Sequence, residues 1–299
     1  MAQVLVTGAS GFVGKHLVVH LCSLGDDVTT SCTDITDRNA IAAEFQHHRP
    51  EIIYHLAAQA DIALSWKAPI ETLRVNIEGT YNVLEAAHNS NVQRVLVTSS
   101  ADVYGQVDPT QLPVSETAPL RPVTPYGASK AAAEILSLQA GFAQGTDIIR
   151  TRAFNHLGPG QNNRFVASSI AAQITANERS GVKIVRAGNL AARRDFTDVR
   201  DVVRAYRMLA VAGEPGEVYN ICNGKSHTIQ ELAELLLKKA SHDMHIEVDP
   251  TLMRPIDVPE VRGNPEKLQK ATGWKPAISL DATLRDLLGY YRNQTPHGR

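Results

Sequence analysis

Gln3-Val4-Leu5-Val6-Thr7-Gly8-Ala9-Ser10-Gly11-Phe12-Val13-Gly14 is the stretch on which the fold turns. Three apolar residues in a row, Val4 to Val6, read as a strand covered on both faces, because a half-exposed strand would alternate. The pattern then changes period: Leu17, Leu21 and Leu24 share one side of a helix over 12–24. Glycines between the two elements permit a tight turn and let backbone N–H groups at the helix start face a pyrophosphate. Their spacing is G-x-x-G-x-x-G, not the commoner G-x-G-x-x-G. A glycine trio alone could be a plain turn. Its place between the first strand and the first helix decides for a dinucleotide loop built from Gly8, Ser10, Gly11, Phe12, Val13 and Gly14.

Working outward, the same alternation repeats. Strands are expected over 28–32, 51–56, 94–99 and 147–152, with helices over 37–47, 76–90 and 126–142 between them. Apolar strands separated by helices indicate a parallel sheet covered on both sides. The fold class expected is therefore α/β, a doubly wound parallel sheet with a smaller, discontinuous C-terminal domain. The second half is less regular: a loop over 158–163, a helix over 165–178, a strand over 182–186, a helix over 198–212 and a strand over 217–222 that rejoins the sheet. Thr228 and Glu231 form a capping-box pattern at the head of an amphipathic helix. Residues 1–155 are assigned to the nucleotide-binding domain, with 195–222 returning to it. Residues 156–194 and 223–299 are assigned to the substrate domain, with a cleft between the two.

Composition narrows the function classes. With 30 Lys and Arg against 31 Asp and Glu, no broad basic surface suggests nucleic acid. Cys22, Cys32 and Cys222 form no paired motif and no metal-ligand spacing, which suits a reducing compartment. The apolar run at Val4 is too short for a signal peptide, and nothing approaches the ~18 apolar residues of a membrane span. A soluble cytoplasmic protein without a metal is expected.

Tyr126 and Lys130 are the candidate chemical pair, although their spacing taken alone fits a surface pair better. Four residues apart on a helix, they share one face one turn apart. An ammonium near a phenol favours the phenolate, which brings a group of pKa near ~10 within reach of proton transfer to a C–O oxygen.

Taken with Gly8, Gly11 and Gly14, with His55-Leu56-Ala57-Ala58 after a strand, Asn76 opening a helix and Ser99-Ser100 after another strand, the chain resembles the extended short-chain dehydrogenase/reductase family. The resemblance implies a Rossmann-like fold and an NAD(P)-dependent oxidoreductase. Ser100 would hydrogen-bond the reacting oxygen, Tyr126 would transfer the proton, and Lys130 would lower the tyrosine pKa and hold the nicotinamide ribose. Leu56, Ala57, Ala58 and Asn76 would line the cofactor. Reductases, epimerases and dehydratases of sugar nucleotides all share this triad. In 4,6-dehydratases an acidic pair follows the catalytic hydroxyl; here the segment is Ser100-Ala101-Asp102. Ala101 can do no acid–base chemistry and Asp102 is one methylene shorter than the usual glutamate, so dehydration is disfavoured. A displacement of about 1 Å can cost ~100-fold in such a reaction.

Three later segments resemble substrate elements of GDP-sugar enzymes. Residues 152–161, containing Asn155, and 187–201, containing Asn189 and Arg194, are similar to those of GDP-4-keto-6-deoxy-D-mannose reductases. Met253-Arg254-Pro255-Ile256-Asp257-Val258 is similar to an Arg-Pro-x-Glu-Val element, with Asp257 in place of glutamate. Arg194 and Arg254 are candidates for a bidentate diphosphate clamp, and Asn155 for a sugar hydroxyl or phosphate. For each arginine the plain alternative is an ion pair with Asp195 or Asp257. His156 is read as structural. Asp34, 20 residues past Gly14, suggests an NAD ribose contact, yet Asp34-Ile35-Thr36-Asp37 also resembles an adenine-contacting segment. That leaves Ser31, Thr33 and Arg38 for the 2′-phosphate of NADPH, the cofactor favoured here. The expected reaction is reduction of GDP-4-keto-6-deoxy-D-mannose to GDP-D-rhamnose. The rivals are the GDP-6-deoxy-D-talose-forming reductase, a dehydratase or epimerase, and a non-catalytic cofactor-binding protein. A homodimer or larger homo-oligomer is implied by the resemblance alone.

Overall fold

The computed structural model describes residues 2–253 and 256–294. In chain order the first half runs β1 (Gln3–Thr7), α1 (Phe12–Ser23), β2 (Asp27–Thr30), α2 (Arg38–His48), β3 (Ile52–His55), α3 (Ile62–Lys67), α4 (Pro69–Leu73), a π-helical turn (Arg74–Glu78), α5 (Gly79–Asn89), β4 (Arg94–Ser100), α6 (Pro125–Gln144) and β5 (Asp147–Ala153). Then follow β6 (Asn155–Leu157), α7 (Val166–Ser180), β7 (Ile184–Ala187), β8 (Arg193–Asp198), α8 (Val199–Ala212), β9 (Val218–Ile221), β10 (Ser226–Thr228), α9 (Ile229–Leu237), β11 (His245–Val248), β12 (Glu260–Val261), α10 (Glu266–Thr272) and α11 (Leu280–Asn293).

Six parallel strands form the main sheet in the order β2-β1-β3-β4-β5-β9. The apolar strand runs are covered on both faces, as their sequence demands. On one side Val4, Val6 and Leu96 pack with Leu17, Val202, Leu209 and Trp274 from α1, α8 and the segment after α10. On the other, Leu5, Ile53 and Val95 pack with Ile41, Phe45 and Val83 from α2 and α5. The chain leaves β1 toward one edge through β2, then returns through β3 and builds toward the other. That reversal opens a crevice beyond the carboxyl ends of β1 and β3, where ligands of doubly wound sheets bind.

A second core joins α7, α9 and α11 through Ile170, Ile174, Leu232, Leu236, Leu284 and Leu287, beneath a small sheet in which β8 pairs with β6, β10 and β12. The segment 195–222 divides between the two parts. Its first four residues belong to β8 in the small sheet, while α8 packs on the main sheet and β9 joins it. The Thr228–Glu231 capping box forms as expected. The helices α3, α4, α10 and α11 and the strands β6, β8, β10, β11 and β12 are additions to the elements expected, and α5 is entered through the π turn rather than at Asn76. Among the described residues no helix is long and apolar enough to cross a membrane.

Candidate active site

A cavity of about 650 Å³ fills the crevice between the two parts. The turn after β1 forms its floor. Gly8 adopts φ +70°, and a Cβ there would stand 2.7 Å from Ala57 N, so only glycine lets the ends of β1 and β3 approach this closely. At Gly14 a Cβ would meet Gly8 O at 2.2 Å, so the loop folds directly over the first turn of α1. Gly11 caps α1 with no side-chain hydrogen bond. Orphan N–H groups of the first turn therefore remain for an anion, and Ser10, Gly11, Phe12 and Val13 line the cavity there with Leu56, Ala57 and Ala58. This cradle fits a dinucleotide diphosphate. Gly14→Ala is expected to weaken binding of a reduced nicotinamide dinucleotide about tenfold or more, a loss of ~1.4 kcal/mol, in a fluorescence titration; an unchanged Kd would contradict the close-approach argument.

Toward the far end stand Ser100, Asp102 and Tyr126. Ser100 closes β4, and its hydroxyl donates to Asp102 Oδ2 at 2.9 Å. Tyr126 opens α6, whose start is fixed by Thr124: its hydroxyl accepts from Gly127 N at 2.9 Å, with Pro125 at the first position. Burial raises the Tyr126 pKa far above its ordinary value, the Asp102 carboxylate adds to the rise, and a hydrogen bond with Ser100 opposes it. The phenol is thus held protonated. Lys130 directs its ammonium to the Thr98 carbonyl at 2.9 Å, and burial lowers its pKa to about 8. Lys130 is not among the groups that shift Tyr126, so the pull toward phenolate expected from helical spacing is outweighed here by burial.

Several anticipated residues hold the site from behind rather than lining it. Asn76 lies in the π turn and is buried. Its amide bridges Gln59 N (2.8 Å), Gln59 O (3.0 Å) and Ser129 Oγ (2.8 Å), fastening the loop after β3 to the turn before Lys130. A π turn at such a place is a common functional device. Ile35 points into the core and packs on Gly79. Asp34 lies outside the cavity, where the N–H and hydroxyl of Thr36 hold its carboxyl below the usual range. Ser31 donates to Glu44 at 2.7 Å and Arg38 pairs with Glu85 at 2.6 Å, so two of the groups considered for a 2′-phosphate already serve carboxylates.

On the substrate side Asn155, Arg194 and Asp257 line the cavity. Arg194 and Asp257 are not independent: Nη2 lies 2.5 Å from Oδ1, and Nη1 donates to Val258 O at 2.8 Å. Asn189, off the cavity wall, donates to Asp257 Oδ2 at 2.8 Å. Asp195 turns the other way, as alternation along β8 requires. It accepts from Asn223 N, Gly224 N and Gly263 N, and burial lifts its pKa to about 6. Arg254 lies outside the described residues. Phe165, Asn162 and Thr124 line the cavity too and were missed. For Thr124 the signal was available, since Thr-Pro at a helix start marks a cap. His156 also faces the cavity, with Nδ1 bonded to Phe154 O and its ring stacked on Phe12. Among the described residues no group of His, Cys, Asp or Glu could hold a metal ion.

The model of the family described as GDP-mannose 4,6 dehydratase matches residues 28–287. The chain belongs to this family. It is 38% identical to GDP-6-deoxy-D-mannose reductase of Pseudomonas aeruginosa, over 98% of both chains. It is 31% identical to GDP-6-deoxy-D-talose 4-dehydrogenase of Aggregatibacter actinomycetemcomitans, over 91% of both. In three dimensions it matches RMD from Pseudomonas aeruginosa complexed with NADPH, with a TM-score of 0.90 and 37% identity over 97% of this chain and 99% of that one. The family and the fold thus agree with the resemblance drawn from the motifs: this is a Rossmann-like extended short-chain dehydrogenase/reductase of the NAD(P)-dependent kind.

Proposed function

We propose that the protein reduces the C4 ketone of GDP-4-keto-6-deoxy-D-mannose, giving GDP-D-rhamnose, with NADPH as cofactor. Bound NADPH supplies the hydride. The observation that carries the reading is the placement of Ser100, Asp102 and Tyr126 in one cavity with the glycine loop, joined to the similarity with a GDP-6-deoxy-D-mannose reductase. The cofactor preference is supported by the NADPH complex of the similar RMD structure.

Ser100 orients the ketone oxygen by turning its one hydroxyl hydrogen from Asp102 to that oxygen. Tyr126, a phenol protonated at neutral pH, gives its proton to that oxygen as negative charge develops. Lys130, its ammonium anchored on the Thr98 carbonyl, holds the ribose. Asn155 and the Arg194–Asp257 pair bind the nucleotide sugar, with Asn189 bracing Asp257. Ala101 brings no acid to expel a hydroxyl, which favours reduction over dehydration.

The decisive assay offers a panel of nucleotide-linked 4-ketosugars with NADPH or NADH and follows absorbance of the reduced cofactor. Consumption with the GDP-ketosugar is expected; none would overturn the proposal. The talose-forming alternative, favoured by similarity to the talose 4-dehydrogenase, predicts a different H3–H4 coupling in the proton NMR spectrum of the product. Because Lys130 titrates near 8, kcat/KM is expected to hold below that pH and fall above it as the ammonium neutralises. A profile flat to pH 10 would remove Lys130 from the mechanism. We also infer a homodimer formed through the outer faces of α5 and α6, where Tyr81, Ile135 and Phe142 are exposed. Light scattering of the purified protein tests it, and a monomeric mass would reject it.

A further inference from the structure

The ring of His55, at the carboxyl end of β3, is 2% exposed and has no part in the proton transfer above. Its Nδ1 lies 2.8 Å from Thr7 Oγ1 and its Nε2 lies 3.0 Å from Thr80 Oγ1. Neighbouring groups decide where the protons are. Thr80 spends its hydroxyl hydrogen on the Asn76 carbonyl at 2.7 Å. A hydroxyl has one hydrogen, so toward His55 it can only accept, and Nε2 carries the ring proton. Burial first, and then the nearby Lys130 ammonium, hold the ring neutral, with a pKa of about 3. Nδ1 is therefore an acceptor and takes the hydrogen of Thr7, whose oxygen in turn accepts from Ala57 N at 3.3 Å.

From this ring, hydrogen bonds run to the strand end before the glycine loop and to the turn that carries Tyr126. Thr7 immediately precedes Gly8, and Ala57 is the residue that Gly8 approaches. Through Thr80 the chain continues to Asn76, Ser129 and the Tyr126 carbonyl, with the last contact at 2.7 Å. The main-chain carbonyl of His55, independently of the ring, accepts from Thr98 Oγ1 (3.0 Å), and the Thr98 carbonyl receives Lys130.

We propose that His55 is a positioning residue, a neutral strut of fixed tautomer that sets the distance between the dinucleotide loop and the Tyr126–Lys130 turn. The proposal rests on the reading of that loop and turn given above. A misplacement of about 1 Å between reacting groups costs ~100-fold, so a strut of this kind should appear in turnover as well as in stability.

Two arms test it, neither limited to activity. In the first, the histidine ring nitrogens are labelled and long-range 15N–1H spectra recorded from pH 5 to 9, with His55→Gln used to assign the signal. An Nε2–H ring that does not titrate is expected. A ring that titrates near its ordinary value, or the Nδ1–H tautomer, would overturn the proposal. In the second, NADPH affinity is titrated by fluorescence and kcat measured for His55→Phe, which keeps a ring but loses both contacts, and for His55→Gln, whose amide can donate and accept. The Phe variant is expected to bind NADPH about tenfold more weakly and to lose ~100-fold in kcat, and the Gln variant to recover much of both. Wild-type affinity and kcat in a folded Phe variant would reject the strut. Should the Phe variant not fold, Gln alone decides, and its failure to retain NADPH affinity while folded would reject the donor–acceptor account. The NMR and binding arms need no ketosugar. Failure of the substrate assignment therefore leaves them readable, whereas a wild-type protein that binds no NADPH would overturn both proposals.

Discussion

Tyr126→Phe is expected to lower turnover of the ketosugar by ~10²–10⁴-fold, the usual worth of a positioned general acid, with NADPH affinity nearly unchanged. The split follows from geometry. Only the hydroxyl is removed, while the ring, buried at the head of α6, keeps its packing and the glycine loop is untouched. The measurement is steady-state reduction beside a fluorescence titration of NADPH. Turnover within a few-fold of wild type would mean that another group supplies the proton. A matching loss of affinity would mean that the hydroxyl holds the cofactor as well as supplying the proton.

Glu134→Ala is expected to destabilise the fold by about 3–5 kcal/mol, as removal of one partner from a buried ion pair does. Glu134 lies one turn beyond Lys130 on the same face of α6 and is 1% exposed. It receives Arg152 Nη2 at 2.6 Å and lies 3.7 Å from Arg150 Nη1, both guanidiniums being buried on β5. Without the carboxylate, two cations face each other with little water to screen them. Among the described residues Arg152 would retain hydrogen bonds to Tyr104 Oη (2.8 Å) and Glu116 O (3.0 Å) and its contact over the Tyr104 ring. Denaturant unfolding reads the loss, and a change under 1 kcal/mol would show that the cavity rehydrates. The Glu134→Leu, Arg152→Met double variant should regain a large part, since apolar replacements of buried pairs are often neutral.

Much of the site could be read before any coordinates. The glycine loop, Ser100, Asp102 and Tyr126 all reach one cavity, because a strand end and a helix start are positions that local pattern defines well. Legibility failed where a side chain's direction depends on a distant partner. Ile35 follows a strand as an adenine-contacting residue would, yet Gly79, far along the chain, offers it a core pocket. Arg194 and Asp257 were separate candidates, and only pairing of β8 with β12 brings them to 2.5 Å. The pairing of Asp195 with its neighbouring arginine, considered from sequence, fails because successive residues of a strand face opposite ways.

The sequence by itself determined the parallel sheet, the glycine loop after its first strand and the shared helix face of Tyr126 and Lys130, because each follows from hydrophobic period, glycine spacing or helical repeat within a few residues. Only the tertiary structure decided the electrical state of that pair. Tyr126 is kept protonated by burial and by Asp102, Lys130 is turned to the Thr98 carbonyl, and His55 is fixed in one tautomer between Thr7 and Thr80. Desolvation and long-range hydrogen bonds depend on what packs around a residue, and no spacing along the chain reports that.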